Sequence, residues 1–165
     1  MAHPPPAAAL GSPKSTRYDA VLGDLRAVLD GERDRVARMA TVSCLLAHAF
    51  PEWLWTGFYV VDAARPDELV VGPYQGTLGC LRIAFGRGVC GVAAATGQTQ
   101  VVPDVHAYPD HIACDSRSRS EIVVPVRDPA GALIAVLDVD SAEPGAFDDD
   151  DRVGLERLVA ALFAG

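Results

Sequence analysis

The chain has 165 residues, half of them hydrophobic and 22% charged, with a formal net charge of -8. That length suits one domain with a proper core, and the acidic balance argues against a nucleic-acid partner, whose phosphates demand a basic face, and against an anionic membrane surface. No window reaches the roughly 18 consecutive apolar residues of a membrane span, and the N-terminus lacks the basic start and apolar run of a signal peptide. The expected location is therefore cytoplasmic, where thiols stay reduced and the four cysteines are reactive or simply packed.

Residues 1 to about 14 are rich in Pro and Ala and read as a disordered or loosely held tail, leaving 15–165 as a single domain. A first helix is expected from Ser15 or Thr16, with Tyr18, Val21, Leu22, Leu25, Val28 and Leu29 on one stripe and Gly31 as its stop. A second runs from Glu32 to about Ala49, ahead of Pro51, with Val36, Met39, Ala40, Cys44, Leu46 and Ala47 as its apolar positions. The period then changes. Residues 55–62 read as a strand, 63–67 as a turn, Glu68 to Val71 as a second strand and 72–79 as a loop. Cys80 to Ala84 is a third strand, and Val89 to Thr96 a short buried helix capped by Gly97.

Thr99 to Val102 is a short strand, and 103–120 a long loop. Strands at Glu121–Val126 and Leu133–Asp140 flank a turn at 128–131. Phe147 to Asp150 opens a final helix, its acidic first turn suiting the positive end of the helix dipole, with Leu155, Leu158, Val159 and Leu162 as the buried stripe. The order of elements gives an α+β fold: a mainly antiparallel sheet with helices on one face, no internal repeat and no second domain.

The chemistry-bearing stretch is Gly86 to Ser120, with Cys80 just upstream. It is rich in turn residues and holds Cys90, Cys114, His106 and His111. No CxxC pair is present, so a structural zinc site is poorly supported, and His111 with Cys114 is only a weak HxxC fragment. Cys44, inside an apolar helix, reads as a small buried residue. Cys114, in a polar loop with Asp115, Ser116 and Arg117, is accessible, and backbone N–H groups or a cation there would favour its thiolate. Asp138 and Asp140, two apart in a strand, point to one face. They are either partnered and used or solvated at a frayed strand end, and spacing leaves both readings open. Trp55 is a core or rim aromatic, or the wall of a site for a thioether or ammonium group. The glycines of GRGVCG supply tight turns but lack the closing GK[ST] of a P-loop, and Ser116, Ser118 and Ser120 show no paired His/Asp arrangement for a serine hydrolase.

Taken together, residues 86–91 (GRGVCG), residues 111–125 (HIACDSRSRSEIVVP) and residues 133–141 (LIAVLDVDS) resemble the free methionine-(R)-sulfoxide reductases, enzymes built on a GAF domain. The resemblance spans about residues 17 to 163 and is densest from 68 to 141, with no departure at the motif positions. It implies an antiparallel sheet of about six strands with helices packed against it, usually in a homodimer, and reduction of the R epimer of free methionine sulfoxide to methionine. It also implies that Cys114 is the nucleophile, Cys80 the main resolving partner and Cys90 a third redox-active position. Glu121, Asp138 and Asp140 become the pocket acids and Trp55 the aromatic wall; Cys44 and the tail have no implied role.

The chemistry agrees. A thiolate attacks the sulfoxide sulfur, a carboxylic acid kept protonated by its neighbours helps the oxygen leave, and the resulting sulfenic acid condenses with a second thiol. An external dithiol, thioredoxin being the natural candidate, reopens the disulfide, and no metal, flavin or nicotinamide is needed. A closed pocket sized for one amino acid would reject peptide-bound substrate. Two other readings are a GAF-type sensor or binding module and a non-catalytic thiol or zinc-binding protein.

Overall fold

A computed structural model describes residues 11–112 and 114–164. Six strands form one antiparallel sheet: β1 (Trp55–Asp62), β2 (Arg65–Gly76), β3 (Arg82–Ala84), β4 (Gln100–Val102), β5 (Ser120–Arg127) and β6 (Leu133–Ser141). Their spatial order is β3-β2-β1-β6-β5-β4, so the longest apolar runs, β1, β6 and β5, lie at the centre. The helices are α1 (Lys14–Val28), α2 (Arg35–Ala49), α3 (Gly88–Thr96) and α4 (Asp149–Val159), the last running into a π-helical turn at Ala160–Ala164.

Because strand side chains alternate, each central strand feeds two separate cores. Phe58, Ile122, Val124, Leu137 and Val139 face one side, where α1, α2 and α4 cover them with Tyr18, Leu25, Met39, Val42, Leu46, Leu155 and Leu158. Trp55, Tyr59, Val123 and Val136 face the other, where α3 packs with Val89, Cys90, Ala93 and Ala94. The helices thus lie on both faces, not on one as expected. Alternation within a strand reveals that two faces exist, and says nothing about which helix covers which.

The caps explain where helices begin. Asp34 accepts from the Ala37 amide, and Glu32 folds its carboxylate back onto the Arg33 and Asp34 amides. The second helix therefore starts at Arg35, three residues after the expected Glu32. At α4, Asp148 accepts from the Asp150 and Asp151 amides while Asp151 accepts from the Asp148 amide, a capping box with Asp in both places. Buried Asp151 also takes the Tyr18 hydroxyl at 2.8 Å and the Lys14 ammonium, tying α1 to α4. The expectation of a loose tail falls outside the described residues over 1–10, and Lys14 already opens α1.

Three further expectations need correction. In α2 the buried stripe is Met39, Val42, Ser43 and Leu46, which leaves Cys44, Val36 and Ala40 exposed. Ser43 can occupy the stripe because its hydroxyl is satisfied by the Met39 and Pro73 carbonyls. In α1, Val28 is exposed while Leu29 is buried. The second strand spans Arg65 to Gly76, so much of the expected loop at 72–79 is strand. Its register with β1 passes from Gly57–Tyr74 to Tyr59–Val71, so Gly72 and Pro73 together oppose Phe58. A proline without an N–H is tolerated at such a bulge.

Candidate active site

Strand register assembles the site. On the central strand β6, Asp140 stands directly opposite Trp55 of β1 on one side and Glu121 of β5 on the other. Two residues earlier, and so on the same face, Asp138 stands between Gly57 and Val123. Both aspartates are paired on two sides, and Asp138 is buried, which rules out the frayed-end reading. Above this row, the first turn of α3 brings Gly88, Val89 and Cys90 to the same pocket. Two loops form the rim: the one before β3 carries Leu78 and Gly79, and the one before β5 carries His111, Ile112, Cys114, Asp115 and Ser118.

Trp55 is 5% exposed and its indole donates to the Thr77 carbonyl at 3.1 Å, which fixes the ring. It stacks with Tyr59 and with Tyr74, at centroid distances of 5.5 and 5.1 Å. The result is a rigid apolar wall facing three carboxyls. Burial, then the neighbouring Asp140 charge, pushes the Glu121 carboxyl well above the usual range. Burial and the Asp140 and Glu121 charges do the same to Asp138. Asp140 is raised to about 6, burial being opposed by the Ser118 hydroxyl, which donates at 2.6 Å, and by His111. Burial thus favours the protonated form of Glu121 and Asp138, while Asp140, at about 6, is largely ionised at neutral pH. The Oδ1 atom of Asp138 is buried without a hydrogen-bond partner.

The cysteines separate into distinct environments. Cys80 and Cys114 form a disulfide that joins the two rim loops, with Cα atoms 5.4 Å apart. Cys114 is exposed and Cys80 half-buried. Cys90 is a free, buried thiol with Sγ 3.9 Å from Glu121 Oε1. Burial and the surrounding Asp138, Glu121 and Asp140 push that thiol well up, so it stays neutral. The Cys90, Glu121 and Asp138 ligand atoms lie within 4.8 Å of one another, close enough for one metal ion. Burial favours the protonated form of each, which a metal would have to displace. The HxxC fragment does not converge as a metal pair: His111 faces Glu121 at 3.6 Å, while the Cys114 sulfur is bonded to Cys80.

All seven residues singled out in the sequence, Trp55, Cys80, Cys90, Cys114, Glu121, Asp138 and Asp140, lie in this pocket or in the disulfide at its rim. The structure adds Tyr59, His111 and Ser118. Tyr59 was legible as the residue four beyond Trp55 on one strand face. Ser118 and His111 come from an irregular loop, where no period tells which way a side chain faces. His106 lies apart, in the short 3-10 turn Val105–Ala107. Asp115, also at the rim, accepts from Thr77 and Arg117, which hold its carboxyl well below the usual carboxylate range.

Comparison with known proteins gives the same picture. Residues 15–164 match the model of the GAF domain family. The chain is 44% identical over 149 residues to the free methionine-R-sulfoxide reductase of Escherichia coli, covering 90% of this chain and 88% of that one. It is 44% identical over 137 residues to the enzyme of the same name from Saccharomyces cerevisiae, covering 81% and 76%. Among solved structures, it resembles the free methionine-R-sulfoxide reductase of Neisseria meningitidis in complex with its substrate, with a TM-score of 0.87, 50% identity, and 93% and 90% of the two chains covered.

Proposed function

The chain belongs to the GAF domain family and, within it, to the free methionine-R-sulfoxide reductases, and on that premise we propose that it reduces free L-methionine-(R)-sulfoxide to L-methionine. The observation that carries this reading is a row of three carboxyls, Glu121, Asp138 and Asp140, set between an aromatic wall and a cysteine pair. A zwitterionic amino acid with an apolar, sulfur-bearing side chain needs those three features. Trp55 takes the methyl and methylene groups. Asp140, with Asp138 Oδ1 beside it, takes the ammonium. Protonated Glu121 donates to the sulfoxide oxygen and makes the sulfur more electrophilic.

With the disulfide open, the Cys114 thiolate attacks that sulfur. Oxygen passes to the cysteine, leaving methionine and a Cys114 sulfenic acid. The Cys80 thiol displaces water from the sulfenic acid and closes the Cys80–Cys114 disulfide. A dithiol then exchanges with it, restoring two thiols and leaving as a disulfide. Thioredoxin is the reductant in this reading. Cys90, neutral and buried beside Glu121, is poorly placed for the first attack and acts as the third, slower redox position. The working unit is a homodimer of single GAF domains spanning 15–165, acting in the cytoplasm against oxidative loss of methionine. Among the described residues no helix is long and apolar enough to cross a membrane.

The test is NADPH consumption in the presence of thioredoxin and thioredoxin reductase. Free methionine-R-sulfoxide, the S epimer and a blocked peptide-like sulfoxide are each offered to wild type and to Cys114→Ser. Turnover of the free R epimer alone, lost in the variant, is expected. Folded, reduced wild type that turns over no sulfoxide would sink the reductase reading in favour of a ligand-binding module.

A further inference from the structure

Six large apolar side chains are exposed among the described residues. Four are valines on scattered elements: Val28, Val36, Val101 and Val153. The other two are leucines three positions apart, Leu78 at 82% and Leu81 at 75% exposure, and they bracket Cys80. Isolated valines need no explanation, but two of the bulkiest apolar side chains held in water around a disulfide do. Core packing does not place them there. Leu81 is held by its backbone, its carbonyl accepting from Val71 N–H at 3.0 Å, so its side chain is presented from a fixed point at the edge of the sheet.

We propose that Leu78 and Leu81 form the landing surface for the protein dithiol that reopens the Cys80–Cys114 disulfide. This rests on the reductase reading above. The disulfide itself argues for that occupant. Its sulfurs are reduced in every cycle, and a partner that reaches them must cover the residues on either side of Cys80. Exchange requires the attacking thiolate to form a bond to one sulfur while the other leaves with the electron pair. The partner's second thiolate then attacks the mixed disulfide, so the partner departs oxidised and both cysteines carry thiols. Such a two-step reaction needs the partner held long enough for its second thiol to act. Two exposed apolar side chains flanking Cys80, one of them on a backbone tied to the sheet, give contact area without a tight complex. Thr77 and Asp115, hydrogen-bonded to each other at 2.6 Å beside Cys114, supply a polar rim.

The experiment uses Leu81→Ser, because Leu81 does not line the substrate pocket. Rates of disulfide reduction are measured with reduced thioredoxin and, separately, with dithiothreitol, on the oxidised protein without any sulfoxide. Second-order reduction by thioredoxin should fall roughly tenfold, the scale of losing one well-buried apolar contact at an interface. Reduction by dithiothreitol should not change, and Leu78→Ser with Leu81→Ser should deepen the thioredoxin defect alone. An unchanged thioredoxin rate, or an equal loss with dithiothreitol, would overturn the proposal. So would a change in oligomeric state of Leu81→Ser by sedimentation, which would make the patch an interface between two copies of this chain. No sulfoxide enters this assay, so its outcome is independent of whether the reductase reading holds.

Discussion

Asp140 is the residue whose charge state decides what the pocket can hold. Burial and the neighbouring charges push Glu121 and Asp138 well above the usual range, which favours their protonated forms. Asp140 is only partly buried, and the Ser118 hydroxyl and His111 oppose the burial penalty, so it titrates at about 6. Two carboxylic acids and one carboxylate suit a substrate that brings one positive charge and one oxygen in need of a proton. The sign follows directly. Below pH 6 Asp140 is neutral and loses its attraction for an ammonium; above it the carboxylate is present. The kcat/KM for free methionine-R-sulfoxide, which reports the free enzyme, should therefore fall about tenfold per pH unit on the acid side of 6. Asp140→Asn should raise KM and remove that limb. A limb centred near 6 that persists in Asp140→Asn would assign the titration to another group, His111 first, because burial already places it below its ordinary value.

At the scale of the element, α3 and the turn before it set the distance between Cys90 and the acids. Gly86 and Gly88 take φ of +78° and +59°, and the Gly86 amide donates to the Gly91 carbonyl. A Cβ on Gly91 would lie 2.3 Å from the Ala84 carbonyl oxygen, so only glycine lets the helix press against β3. Gly91→Ala should cost about 1–3 kcal/mol by overpacking, lowering Tm by roughly 2–4 °C for each. Gly23→Ala, mid-helix in α1 with nothing within 4 Å of the new methyl, should shift Tm slightly upward. Equal shifts from the two would remove the packing argument.

Such elements were largely legible in the sequence, because the periods of β1, β5, β6, α3 and α4 are carried by local side chains. What lay outside it was relational. Register between strands sets Trp55, Asp140 and Glu121 in one row, and spacing within β6 could show only that Asp138 and Asp140 share a face. In α2 the expected Met39 and Leu46 are buried, but Val42 and Ser43 complete the stripe in place of Val36, Ala40 and Cys44. Ser43 is a polar side chain that buries well once two carbonyls receive it, and that places Cys44 in water.

Over the whole molecule, the sheet divides a side covered by three helices from the side that holds the pocket. Beneath it, three helices share one apolar core, and Asp151 ties α4 to Lys14 and Tyr18 of α1. Above it, a single short helix and two rim loops enclose the pocket, and the Cys80–Cys114 bond spans those loops. Redox state should therefore be read out as stability as well as reactivity. The bond closes a loop with a sequence separation of 34. Chain entropy for a loop of that size is worth about 3–4 kcal/mol against the unfolded state. In a domain of this length, each kcal/mol moves Tm by roughly 2–4 °C. Oxidised protein should thus melt several degrees above protein held in excess reductant, and Cys80→Ser should abolish the difference. Cys44→Ser should preserve it, because that thiol stands exposed on α2, away from the bond. Equal melting temperatures in the two redox states would mean that the rim loops are already held by their packing. Reduction would then change the chemistry of the pocket without loosening its mouth.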